Sequence, residues 1–169
     1  GCLAMCGHGT IGVCTVLVET GMVEVTEPVT TINLDTPAGL VRADVAVDQG
    51  RAVSVTLRNV PAFLAASQVT VDAGEDVGEV TCDVAFGGNF YGILPAADLG
   101  VPLEKAAESQ LIDRGMQVVR ALDQQLAPVH PEDDRIRGVR HVILTAPGSD
   151  GADARAATIV HPGWIDRSP

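Results

Sequence analysis

Cys6-Gly7-His8-Gly9-Thr10 sets a thiol ahead of two glycines, a histidine and an apolar run from Ile11 to Val18. That order is expected where a cysteine stands at the mouth of a helix. There the unpaired backbone N–H groups and the positive end of the helix dipole favour the thiolate. A thiolate is a base or a nucleophile, so the segment points to catalysis rather than to a stapled scaffold. Gly7 and Gly9 let backbone N–H groups come close to a ligand. Donors at a helix N-terminus suit a carboxylate. The last four residues, Asp166-Arg167-Ser168-Pro169, are the natural partner of this segment. Asp166 can cap a helix that Ser168 would open, and capping is compatible with a catalytic part.

The other thiols read differently. Cys14 lies eight residues into the helix and Cys82 lies on an inward strand face, so both are assigned to structure. Cys2 precedes the motif and is given no chemistry. Read without the motif, a lone Cys before an apolar helix is usually a small buried hydrophobe. Cys2, Cys6 and His8 cluster, but no second pair with zinc-like spacing follows, and His130, His141 and His161 are scattered. No metal is expected.

The 169 residues suffice for one ordinary core or two small domains. With 46% hydrophobic residues, disorder is excluded. Aromatic residues are only 3%, which leaves few platforms for stacking bases, and the net charge of −11 opposes a polyphosphate. Nucleic acid is therefore not an expected partner. No segment is long and apolar enough to span a bilayer, no signal peptide is visible, and four cysteines make no dense disulfide framework. A cytoplasmic location with reduced thiols is expected. The absence of an initiator Met and the stop at Pro169 suggest that both ends are cut.

These side chains need elements to hold them. A helix is expected over residues 8–22, apolar over most of its circumference and so buried nearly all round, with Gly21 as its stop signal. The period then changes to two. Val29 to Asp35, the Val41–Val47 alternation and the Val53–Leu57 alternation form an antiparallel meander with one wet face. Pro61 breaks the pattern, which divides the chain into 1–62 and 63–169. A second β series holds Val69, Val71, Val80, Cys82, Val84 and Phe86, interrupted by Gly87-Gly88-Asn89, a turn or bulge. A helix over 103–126, with Gly115 as a possible kink point, a polar linker over 127–138 and strands at Val139–Ala146 and Ala156–His161 complete the reading.

Five segments resemble the proline racemase family, in the family's own order. They are Met5-Cys6-Gly7-His8-Gly9-Thr10-Ile11-Gly12, Leu34 to Arg42 with its Thr36-Pro37-Ala38-Gly39 turn, Asn59-Val60-Pro61-Ala62-Phe63-Leu64, Phe86-Gly87-Gly88-Asn89-Phe90-Tyr91, and Asp166 to Pro169. The resemblance implies an α+β fold like that of diaminopimelate epimerase. Two domains each wrap a curled, mostly antiparallel sheet around a central helix, and the second domain's central helix is expected to lie beyond this chain. It also implies a pyridoxal-independent isomerase with no cofactor, commonly a homodimer, acting on a small amino acid, proline or hydroxyproline. Cys6 takes the place of the first of two catalytic cysteines, and the second follows Asp-Arg-Ser-Pro, one residue past Pro169.

By the same resemblance the Cys6-Gly7-His8 segment binds the substrate carboxylate, and His8 and Asp166 flank the ring nitrogen. Asn89 matches a substrate-contacting Asn of related epimerases. The racemases carry a phenylalanine in the ring pocket six residues before the aspartate; Val160 stands there instead. Interconversion of L- and D-proline is the leading activity implied. Its rivals are 4-hydroxyproline 2-epimerase and trans-3-hydroxyproline dehydratase, the latter with threonine in place of the second cysteine. With one thiol, the chain by itself is expected to be a non-catalytic fragment.

Overall fold

Cys6 is the last extended residue before α1 (Gly7–Glu19), the one long helix of the chain's first part. The computed structural model describes residues 3–166, which form two compact units divided between Pro61 and Ala62. In the first unit α1 lies on a three-stranded antiparallel sheet in the order β1 (Val29–Thr36), β2 (Gly39–Asp48), β3 (Arg51–Arg58). Alternation in β2 sends Val41, Ala43, Val45 and Val47 inward, and Cys14, Val18 and Ile32 join Ala43, Val45 and Val47 in the core.

α1 differs from expectation in two ways. It ends at Glu19 rather than at residue 22, because Gly21 takes a left-handed conformation (φ 67°). The N–H of Gly21 then bonds to the Val18 carbonyl and that of Met22 to the Leu17 carbonyl, which closes the last turn. The helix is also not buried all round. Thr10, Cys14 and Val18, four residues apart, are its buried stripe, while Ile11, Val13 and Val16 are exposed. A single three-stranded sheet covers only one side of a helix, so the remaining apolar residues stay uncovered within the described residues.

The second unit is a six-stranded sheet in chain order: β4 (Phe63–Asp72), β5 (Glu79–Phe86), β6 (Phe90–Pro95), β7 (Val139–Pro147), β8 (Ala154–Val160) and β9 (Trp164–Asp166). All neighbours are antiparallel except β6 and β7. Parallel strands need a long crossover, and α2 (Glu108–Gln125) supplies it. The helix starts at Glu108, not at residue 103. The Glu104 N–H bonds back to the Pro102 carbonyl, and Lys105–Ala107 form a 3-10 turn.

Gly115 does not interrupt α2, which runs unbroken through it. The glycine is there for contact: a Cβ at this position would lie 2.6 Å from a side-chain carbon of Ile159 on β8. Gly92 on β6 gives way similarly to Leu122 of α2, 2.5 Å from where a Cβ would sit. These two glycines let the helix approach the sheet closely. The helix end is fixed by polar contacts. Asp123 Oδ1 accepts from the Val139 N–H at 3.1 Å, and Gln125 Nε2 donates to the Asp72 carbonyl at 2.8 Å. All three phenylalanines meet in one cluster, Phe63, Phe86 and Phe90, with ring centroids 5.1–6.3 Å apart. His130 from the linker packs edge-on against Phe63 and Phe86.

Gly115→Ala tests this packing. A glycine-to-alanine change inside a helix ordinarily gains about 1 kcal/mol. Here the new methyl meets a branched side chain in a filled core, where overpacking costs about 1–3 kcal/mol. Urea unfolding should therefore show a net loss of stability. A gain would mean that Ile159 yields freely.

Candidate active site

Cys6 is extended (φ −134°, ψ 110°) and serves as the N-cap of α1 through its thiol. Sγ accepts the Gly9 N–H at 3.4 Å, within range for a sulfur acceptor. The Cys6 carbonyl receives the Thr10 N–H at 3.0 Å and the Thr10 hydroxyl at 2.9 Å. The first turn is thus bound at both ends of Cys6, and the residue remains exposed. His8 and Gly9 are exposed beside it. No space is filled where a Cβ on Gly7 would project. Packing within the unit therefore does not require glycine at this position.

Three motif segments converge to hold this thiol. Met5 is buried just before it, and the Ala38 N–H of the Thr36-Pro37-Ala38-Gly39 turn donates to the Ala4 carbonyl at 3.1 Å. Gly39 has a positive φ of 122°, which favours glycine, and Val60, buried, lies 3.4 Å from where its Cβ would be. The segments around residues 5, 38 and 60 are therefore parts of one anchor.

The remaining expected site residues belong to the second unit. Asn89 closes the β5–β6 turn, where its carbonyl accepts the Gly87 N–H at 3.1 Å, and it is half-buried. Asp166 ends β9 opposite Thr158, and its residue is exposed. β7 and β8 lie between their strands in the sheet. Val160 pairs with Trp164 on β9 and with His141 on β7. The structure gathers Cys6, Gly7 and His8 on one helix end and sets Asn89 and Asp166 at separate points of the other unit's sheet. Cys2, Arg167, Ser168 and Pro169, and with them the expected helix opening at Ser168, lie outside the described residues. Among the described residues, no three His, Cys, Asp or Glu side chains gather as metal ligands, and no helix is long and apolar enough to cross a membrane.

Cys14 and Cys82 are both buried. Burial pushes the Cys14 thiol up from its ordinary range. Burial, aided by the neighbouring Asp83 carboxylate, raises Cys82 to about 11. Both are therefore thiols at neutral pH, out of reach of reagents. His141, one of the scattered histidines and part of the expected strand Val139–Ala146, is almost fully buried and stands opposite Val160.

The family description "Proline racemase" matches residues 1–169. The chain belongs to the proline racemase family. It is 59% identical over 169 residues to a 4-hydroxyproline 2-epimerase of Streptosporangium roseum, covering 100% of this chain and 50% of that protein. It is 39% identical over 170 residues to a proline racemase of Acetoanaerobium sticklandii, covering 100% of this chain and 51% of that protein. A solved hydroxyproline epimerase from Agrobacterium vitis, with bound trans-4-hydroxy-L-proline, superposes with a TM-score of 0.89 at 37% identity, over 96% of this chain and 47% of that one. A probable proline racemase from Agrobacterium radiobacter gives a TM-score of 0.90 at 36% identity, over 96% and 47%. The mixed α+β fold is thus shared with solved proline racemase relatives, and the chain spans about half the length of the curated relatives it matches.

The contrast among the thiols gives a direct test. Iodoacetate at neutral pH should alkylate Cys6 well before Cys14 or Cys82, as read by peptide mapping over time. Labelling of Cys82 first would show that the sheet opens faster than the exposed thiol reacts.

Proposed function

We propose that the complete protein is a cofactor-independent racemase or epimerase of proline-type amino acids, with Cys6 as one of two opposed acid–base thiols. The observation that carries this reading is the Cys6 Sγ, exposed and capping α1 within the family's Met-Cys-Gly-His segment. Inverting Cα takes one proton from one face and returns one to the other. Two groups on opposite faces do this most simply, one starting as base and the other as acid. Cys6 would serve one face. The second thiol, expected just after Pro169, would serve the other, and the two would titrate as a coupled pair.

The other residues fit roles around that exchange. The N–H groups at the start of α1, with Gly7 leaving room beside them, suit the substrate carboxylate. His8 and Asp166 would flank the ring nitrogen, and the Asp166 carboxylate would accept from the substrate ammonium. Contacts that tighten as the Cα carbanion develops would lower the barrier. Asn89 is the weakest member of the set, since its turn has a structural reason of its own in the Gly87 hydrogen bond.

Sequence motifs alone put L-proline first. Two observations favour 4-hydroxyproline instead: the 59% identical Streptosporangium protein named for that substrate, and Val160 where the racemases carry a ring-packing phenylalanine. A valine leaves more room beside a substituted ring. Proline remains the second reading, supported by the Thr36-Pro37-Ala38-Gly39 and Phe86–Tyr91 segments, which resemble the racemases. A trans-3-hydroxyproline dehydratase would need threonine after Pro169.

The complete protein should invert trans-4-hydroxy-L-proline at C2 faster than it racemises L-proline, with deuterium entering Cα in heavy water, as followed by polarimetry and proton NMR. Cys6→Ser should lower kcat/KM by about 10²–10⁴-fold, the usual scale of acid–base catalysis. Residues 1–169 alone should give no turnover. Unchanged exchange in Cys6→Ser, or steady turnover by the isolated chain, would overturn the two-thiol reading.

A further inference from the structure

We propose that His141 is a proton-sensitive positioning residue, seating the β8–β9 hairpin that carries Val160 and Asp166 only while its imidazole is neutral. His141 sits on β7, opposite Tyr91 of β6 on one side and Val160 of β8 on the other. Its ring lies 5.1 Å from the Tyr91 ring at an interplanar angle of 32°. Only 2% of the residue is exposed, and neither Nδ1 nor Nε2 has a hydrogen-bond partner among the described residues. A protonated imidazole carries two N–H donors and a charge, and among the described residues neither nitrogen meets an acceptor or a carboxylate.

The charged groups around it in this unit work in one direction. Arg140 is its neighbour on β7, and His161 follows β8, its N–H bonded to the Arg140 carbonyl at 3.0 Å. From β6 comes the Tyr91 phenol ring, and from β8 the apolar Val160. Asp166 on β9 is paired with Thr158, with β8 between it and His141. Packing of α2 is through the opposite sheet face, where Val142 and Gly92 meet Leu122. Burial first, then the charges of His161 and Arg140, hold the His141 imidazole below its ordinary range of about 6.5. A proton thus binds the unfolded chain at higher pH than the folded one. The stability contributed by neutral His141 is complete above about pH 6.5 and is lost as pH falls through the lower folded value.

Acid should therefore loosen β7 from β8, the strand that continues through residues 161–163 into β9. That the loosening would also weaken substrate binding rests on the role proposed for Asp166; the pH response of the hairpin does not. The test uses the complete protein between pH 7.5 and 5.5. The melting temperature should fall by up to about 2 °C more in the unmodified protein than in His141→Phe, which keeps a ring against Tyr91 but cannot take a proton. Amides of residues 158–166 should lose hydrogen-exchange protection in acid only in the unmodified protein. An equal pH slope in the two proteins would overturn the proposal. Should His141→Phe fail to fold, the histidine NMR titration of the unmodified protein decides alone. His141 titrating near 6.5 with the hairpin still protected rules the proposal out, and His141 staying neutral until protection is lost supports it. Failure of the complete protein to act on any proline would sink the proposed function and leave this result standing.

Discussion

An α-helix begins with N–H groups that the helix itself cannot satisfy, and in this chain a thiol meets that need. Cys6 Sγ takes the Gly9 N–H, its carbonyl takes Thr10, and the residue itself stays extended and exposed. The rest of the first unit serves to keep that geometry fixed. Cys14 and Val18 tie the helix to the sheet, buried Met5 fixes the approach, and the β1–β2 turn holds the strand before it through the Ala4 carbonyl. Burial at Met5, Thr10, Cys14 and Val18 holds the helix, while Cys6, His8 and Gly9 at its mouth stay exposed.

The second unit follows another constraint, close approach. α2 can sit on its sheet only because Gly115 and Gly92 lack side chains where Ile159 and Leu122 project. Its far end is then fixed to β4 and β7 by Gln125 and Asp123. The sheet so backed holds Asn89, Val160 and Asp166 on three different connections, a turn, a strand and a hairpin end.

Much of this was legible in the residues. Strict alternation over Val41–Val47 and Val53–Leu57 marked the meander, and a thiol before glycines and an apolar run marked the helix mouth. What escaped had physical reasons. The all-round apolar character of α1 suggested full burial, but periodicity reports what a helix can bury, not what is present to cover it. Leu103 looked helical by spacing and is buried, yet it lies in the turn before α2. Gly115 reads as a kink point because propensity is a local quantity, whereas its reason is Ile159, forty-four residues on. β9 is three residues long and carries no alternation to detect. His141 was invisible as a special residue because only tertiary packing strips an imidazole of its partners.

The unequal exposure of the cysteines has a consequence for how this chain ages. An exposed thiol is also the one most readily taken to sulfenic acid and beyond, whereas a buried one is shielded. Among the described cysteines, Cys14 and Cys82 are shielded and Cys6 is not. Peroxide would therefore strike first at the very atom on which the proposed chemistry turns, and would do so without disturbing either core. A population of such molecules would lose competence while both cores stay packed, so that a folded sample is no guarantee of an active one.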